Sequence, residues 1–185
     1  MRLSLLPNVL TLLRMLAVGP LVYCLLTGRY QIAFVLAVFA GISDLLDGYL
    51  ARRYGWMTHF GGVLDPLTDK FLLVSTTLTL AWLEQLPWWL VLIVVLRDLV
   101  IVGGGLYYHY LVARITAARP TLLSKWNTFG QILLIVCVML KLAFPYFSGP
   151  WIHWLIYAVA ATTIASGIQY VVTWSLRARR HWLNA

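Results

Sequence analysis

Apolar residues along this 185-residue chain come in long runs broken by short polar or turn-forming stretches. They predict six helical segments, at about 8–27, 31–51, 61–83, 88–113, 126–144 and 151–175. The breaks are Gly28-Arg29, Arg52-Arg53-Tyr54-Gly55, Glu84-Gln85-Leu86-Pro87, the stretch from Arg114 to Lys125 with Pro120 in it, and Ser148-Gly149-Pro150. A helix needs roughly 20 apolar residues to cross the hydrocarbon of a bilayer, and the runs are of that size. Lipid cannot satisfy free backbone groups, so every spanning run must be helical. The expected fold class is therefore all-α and integral to a membrane: a six-transmembrane-helix bundle forming a single domain over residues 1–185. Arg14 and Pro20 interrupt the first run and no small-x-small cleavage site follows Leu25-Leu26, so this run is expected to stay as a span rather than act as a signal peptide.

Basic residues near the ends of the runs give an orientation, because cytoplasmic loops collect Lys and Arg. Arg2, Arg52, Arg53, Arg114, Arg119, Lys125, Arg177, Arg179 and Arg180 fall on one side, and Arg29 alone on the other. Both termini are thus expected in the cytoplasm. Trp88, Trp89, Tyr146, Trp151 and Trp154 gather at the opposite ends, as an aromatic belt at the outer interface would.

Composition agrees with the pattern: 62% of residues are hydrophobic, 11% are charged, and mean hydropathy is +0.84. The net charge of +8 is spread over basic loops on a hydrophobic chain, which suits anionic lipid head groups and phosphates rather than nucleic acid. Cys24 and Cys137 each stand alone in an apolar run, without a CxxC or a nearby His, and read as small hydrophobes. His59, His109, His153 and His181 share no spacing that would make a metal site.

Charge distribution changes the picture more than charge total. There are only six acidic residues, and four of them, Asp44, Asp47, Asp65 and Asp69, fall in one 26-residue window. At 100° per residue Asp44, Asp47, Gly48 and Ala51 lie on one stripe of the second segment, while Gly61, Asp65 and Asp69 lie on one stripe of the third. Two antiparallel helices joined by a short turn can bring these stripes face to face. Carboxylates gathered inside a bilayer are costly unless cations neutralise them, which implies a divalent ion or a pair of them. Oxygen ligands without Cys or His favour Mg²⁺, Mn²⁺ or Ca²⁺ over zinc. Mg²⁺ held by carboxylates commonly completes its shell with substrate phosphate oxygens, and Gly48, Ala51 and Gly61 leave room for a ligand against the backbone. Asp44 is eight residues from Arg52 and Asp69 eight from Gly61, so both lie roughly 12 Å from the cytoplasmic helix ends, within reach of a water-soluble head group.

The series Asp44-x₂-Asp47-Gly48-x₂-Ala51-Arg52-x₈-Gly61-x₃-Asp65-x₃-Asp69 resembles, without departure, the signature of the CDP-alcohol phosphatidyltransferases. Pro7-Asn8 with Thr11-Leu12-Leu13-Arg14 is similar to that family's opening segment, and Ser124-Lys125-x-Asn127-Thr128 to the segment leading into its fifth span. Arg97-Asp98, Tyr107-Tyr108 and the stretch Arg119 to Thr128 resemble the cardiolipin synthases of this fold. Phosphatidylglycerophosphate synthases tend to carry Gly-Lys-x-Lys-Thr where this chain has Ser124-Lys125-Trp126-Asn127-Thr128, a departure that weighs against glycerol 3-phosphate as acceptor without excluding it.

The resemblance implies transfer of a phosphatidyl group from CDP-diacylglycerol to a glycerol-type alcohol, phosphatidylglycerol or glycerol 3-phosphate, with release of CMP. It implies two metal ions, Mg²⁺ or Mn²⁺, on Asp44, Asp47 and Asp65, with Asp69 completing the second site and acting as general base. Substrate contacts would come from Gly48, Ala51, Arg52, Gly61, Lys125, Asn127 and Thr128. A homodimer in a bacterial inner membrane, its active site facing the cytoplasm, is the corresponding assembly.

Arg14, Lys70, Arg97 and Lys141 are cations within apolar runs, where ionisable groups are functional candidates by default. Arg97 with Asp98 is open between an acceptor-site pair and packing, Lys70 between a structural ion pair and a substrate contact, and Lys141 is placed to snorkel to the outer interface. Gly103-Gly104-Gly105 reads as close helix packing. Other readings of the acidic window are a different acceptor such as inositol phosphate, a membrane prenyltransferase, or a cation transporter. The last would not require Gly48, Ala51, Arg52 and Gly61 in this register.

Overall fold

The computed structural model describes residues 6–54, 59–111, 121–147 and 149–183, with side chains described at 12–44, 68–104, 121–147, 149–173 and 175. Six α-helices follow one another: α1 (Leu6–Leu26), α2 (Tyr30–Tyr54), α3 (His59–Trp82), α4 (Trp88–Leu111), α5 (Leu122–Ala143) and α6 (Trp151–Leu183), with a 3₁₀ turn at Pro145–Phe147 before α6. Every element among the described residues is helical.

Local chemistry sets the ends. α1 stops at a left-handed Gly28 (φ 75°): the Gly28 and Arg29 amides turn back to the carbonyls of Leu25 (3.2 Å) and Cys24 (2.8 Å). α3 ends the same way on Glu84 (φ 58°), with Gln85 N–H on Leu80 O at 2.9 Å. α5 begins four residues before the apolar run suggested, because the Thr121 hydroxyl accepts from the Ser124 amide at 3.2 Å and caps the helix. α6 continues eight residues past the apolar run to Leu183, since hydropathy marks where lipid would end rather than where a helix does.

The chain divides into two compact units. The first holds α1, α2, α3 and the last part of α5, residues 135–143. Within it α1 packs against both α2 and α3. Leu21, Leu25, Ala33, Leu80, Val138 and Met139 are among its buried core residues, and the rings of Phe34 and Phe144 meet edge to face at 6.2 Å. The tight Gly28 turn folds α2 back along α1.

In the second unit α4 packs on α6. Trp89 stacks on Tyr157 at 6.0 Å and Arg97 reaches Ser166, so the two helices run in the same direction. The first part of α5 runs against α6: Asn127 meets Thr162 and Thr163, and three residues on, a Cβ at Gly130 would lie 3.5 Å from Val159.

The exposed surface is apolar, unlike that of a water-soluble domain, while some polar side chains lie inside among the apolar core residues. Leu16, Val35, Phe39, Leu92, Leu99 and Trp154 are all more than 60% exposed, whereas Asn127, Thr163 and Ser166 are fully buried. Helix hydroxyls are satisfied locally: Thr76, Thr77 and Thr79 donate to the carbonyls of Leu72, Leu73 and Ser75. Leu122–Ala143 and Trp151–Thr173 are long and apolar enough to cross a membrane, and Leu12–Leu26 and Tyr30–Asp44 are shorter apolar helices of the same kind. This is the surface of a protein built for lipid.

Candidate active site

α2 and α3 carry the acidic window, and α1 lies against both. Arg14 of α1 is 2% exposed, and its Nη1 lies 2.5 Å from Asp44 Oδ1 of α2 and donates to Asp69 Oδ1 of α3 at 2.8 Å. One buried nitrogen thus joins the first and last acids of the motif, which are 25 residues apart in sequence and on different helices. Both carboxylates are half-buried, with side chains 40% and 41% exposed. The side chains of Asp47, Gly48, Ala51, Arg52, Gly61 and Asp65 lie outside the described residues, as do those of Pro7, Asn8, Thr11, Arg53, Tyr107, Tyr108, Arg114 and Arg119. Among the described residues no three His, Cys, Asp or Glu side chains converge. The pair that is described already holds a cation between hard carboxylate oxygens, and that donor chemistry fits Mg²⁺ or Mn²⁺.

The other predicted binding residues belong to the second unit. Ser124, Lys125, Thr128, Phe129 and Ile132 line an open hollow of about 380 Å³ along α5. Lys125 is exposed there, and Thr128 is half-buried with its hydroxyl on the Ser124 carbonyl at 3.1 Å. Asn127 faces elsewhere: it is fully buried, and its Oδ1 accepts from the hydroxyls of Thr162 (3.0 Å) and Thr163 (2.8 Å). Its Nδ2 has no partner among the described residues.

Arg97 forms a second buried charge centre. Nη1 donates to Asp98 Oδ1 (3.0 Å), Nη2 donates to the hydroxyls of Ser124 (2.6 Å) and Ser166 (2.8 Å), and the guanidinium lies 5.9 Å from the Tyr170 ring centre. A single side chain of α4 therefore ties α5 and α6 together. Lys141 is half-buried and donates to Gln85 Oε1 at 3.1 Å, within the first unit, so its ammonium extends toward the α3–α4 turn, the end that the basic-residue asymmetry assigns to the outer side. Ser166, Thr162, Thr163 and Tyr170 carry no signal in the sequence. The Arg14 contact had one, since a lone arginine in an apolar helix needs an acid and the chain holds only six.

The profile of the CDP-alcohol phosphatidyltransferase family matches residues 4–165. The chain belongs to that family. Its curated relatives include a "cardiolipin synthase (CMP-forming) / mitochondrial hydrolase fusion protein" of Schizosaccharomyces pombe, 33% identical over 91% of this chain and 31% of the relative. A probable cardiolipin synthase (CMP-forming) of Drosophila melanogaster is 35% identical over 90% of this chain and 56% of its own length. A probable phosphatidylglycerophosphate synthase of Mycobacterium tuberculosis is 32% identical over 92% of this chain and 81% of its own length. The chain therefore spans about a third and about half of the first two relatives, and most of the third. The matched range of the family profile contains α1, both acidic helices and the Ser124 to Thr128 segment.

Proposed function

We propose that this protein is a multi-pass membrane phosphatidyltransferase that moves a phosphatidyl group from CDP-diacylglycerol to a glycerol-type alcohol and releases CMP. The observation that carries the reading is the convergence of Asp44 and Asp69, the two ends of the family's acidic signature, on one buried cation. Asp44, Asp47, Asp65 and Asp69 would hold the divalent ion, Mg²⁺ or Mn²⁺, in two sites. When bound, the ion supplies neutralisation of the diphosphate and of the charge that develops on the leaving CMP.

The chain's own residues do the rest. Asp69, held by its hydrogen bond from Arg14, would accept the proton of the acceptor hydroxyl. The acceptor oxygen forms a bond to the phosphorus that bears diacylglycerol, and the phosphorus–oxygen bond to CMP breaks in line with it, CMP leaving with the electron pair. Gly48, Ala51 and Gly61 would give the nucleotide its close approach to the backbone, and Arg52, Lys125 and Thr128 would contact phosphate.

Phosphatidylglycerol is the acceptor we favour. The 124–128 segment resembles cardiolipin synthases, and two of the relatives described above bear that name. Asn127, uncharged and turned to α6, adds no second cation beside Lys125 for a phosphate monoester such as glycerol 3-phosphate. Antiparallel α1 and α2, and α5 running against α6, support consecutive spans that alternate in direction, and the basic residues collected at one set of span ends support placing both termini and the active site on the cytoplasmic side, for which we take a bacterial plasma membrane. We take the working assembly to be a homodimer.

The test is purified protein in lipid nanodiscs supplied with labelled CDP-diacylglycerol and, separately, phosphatidylglycerol, glycerol 3-phosphate or inositol phosphate. CMP release should require Mg²⁺ or Mn²⁺, run fastest with phosphatidylglycerol, and disappear in Asp44→Asn. Full turnover in excess chelator would overturn the metal mechanism, and preference for glycerol 3-phosphate would overturn the acceptor.

A further inference from the structure

Arg14 is the one charged residue of α1, and the fold buries it. A guanidinium taken out of water costs several kcal/mol unless it is paired. Arg14 pairs with acids on two other helices: Nη1 lies 2.5 Å from Asp44 Oδ1 and 2.8 Å from Asp69 Oδ1. A Mg²⁺ ion sits about 2.0–2.1 Å from its oxygen ligands. An ion that takes these Oδ1 atoms competes with Nη1 for the negative charge of the same two oxygens.

We propose that Arg14 is a positioning residue: a built-in cation that holds Asp44 and Asp69 together in the metal-free protein and yields these contacts as a divalent ion binds, so that Arg14 sets the affinity of the site. The proposal rests on the metal reading given above. Two carboxylates brought this close repel one another, and with no cation the helices that bear them would be driven apart. Arg14 removes that repulsion from the position where α1 meets both α2 and α3. The same contacts must be surrendered to the incoming ion, which lowers the net affinity and keeps the ion exchangeable.

Arg14→Met keeps an unbranched stem and removes the charge, and Arg14→Lys restores the charge without the planar fork. Each variant is placed in nanodiscs with the wild type, Mn²⁺ binding is read from the electron paramagnetic resonance signal of the free ion, and thermal unfolding is followed with and without saturating Mn²⁺. Metal-free Arg14→Met should melt several degrees below wild type, and Mn²⁺ should restore most of the loss. Its Mn²⁺ affinity should rise about tenfold, or ~1.4 kcal/mol. Arg14→Lys should stay close to wild type in both measurements.

An Arg14→Met deficit of equal size with and without Mn²⁺ would mean that Arg14 serves packing alone and would overturn the proposal. So would an Arg14→Lys protein as unstable as Arg14→Met, or one that fails to fold, because charge would then not be what matters. Unchanged Mn²⁺ affinity in Arg14→Met, with wild type binding normally, removes the role of Arg14 and leaves the metal reading standing. A wild-type protein that binds no Mn²⁺ removes both.

Discussion

Replacing Arg97 decides whether the second charge centre is architecture or part of the acceptor site. The side chain is 8% exposed and bonded to Asp98, Ser124 and Ser166, from three helices. Removing one partner of a buried ion pair costs about 3–5 kcal/mol. A side-chain hydrogen bond between membrane helices averages about 0.6 kcal/mol and reaches at most about 1.7 kcal/mol. Arg97→Met should therefore destabilise by roughly 3 kcal/mol or more, and Ser166→Ala or Ser124→Ala by about 1 kcal/mol each. Adding Ser166→Ala to Arg97→Met should cost little further, because the shared bond is already gone. Gly167→Ala is the control: its new Cβ would lie 3.6 Å from Arg97 Cγ, an ordinary contact, so it should be close to neutral. The assay is equilibrium unfolding in mixed micelles, alongside CMP-release kinetics normalised to folded protein. On the architectural reading, stability falls in this order while the acceptor KM of the folded fraction holds. An Arg97→Met protein of wild-type stability whose acceptor KM rises tenfold would refute it and place Arg97 against substrate.

Two further outcomes follow from the helix ends and the basic loops. Reporter fusions after residues 28 and 149 should read as outside and those after 55 and 118 as cytoplasmic, and a cytoplasmic signal at 149 would break the six-span map. Glu84→Gly should raise stability by about 1 kcal/mol in a melting assay, because a non-glycine residue holds the left-handed position (φ 58°) that closes α3; a loss instead would mean that the Glu84 side chain contributes more than the backbone strain it imposes.

Helices were legible because the apolar runs that need lipid also need helical hydrogen bonding, so one signal reports both. The signal misplaces ends wherever something other than hydropathy sets them. Thr121 starts α5 through a capping bond that is local and readable in hindsight as a hydroxyl just after Pro120. The arginine-rich end of α6 stays helical although it is polar, and an apolar-run count stops short of it. Pairing across helices was legible only in part. Asp44 and Asp69 could be placed on facing stripes from their spacing, because the turn between α2 and α3 is short. That Arg14 enters between them depends on α1 lying over both helices, which no periodicity within α1 encodes. Arg97 with Asp98 was visible as neighbours in sequence, but Ser124 and Ser166, 27 and 69 residues away, were not, since serines in apolar helices are too common to single out.

Exposure within the acidic pair gives the site a direction. Arg14 is 2% exposed while Asp44 and Asp69 are 40% and 41% exposed, although all three meet at one nitrogen. The guanidinium is thus buried and the two carboxylates that meet it remain partly open. In lipid an open carboxylate face is untenable unless it meets water or a cation, so on the proposed reading this side is the polar approach for nucleotide and ion. The closed side must be the one that faces hydrocarbon, and the outer surface of α1 agrees: Leu12, Leu13, Met15 and Leu16, around Arg14 in sequence, are each about half exposed or more. On the proposed reading, a diphosphate arriving on the open face would meet the carboxylates and their ion first and the buried guanidinium last.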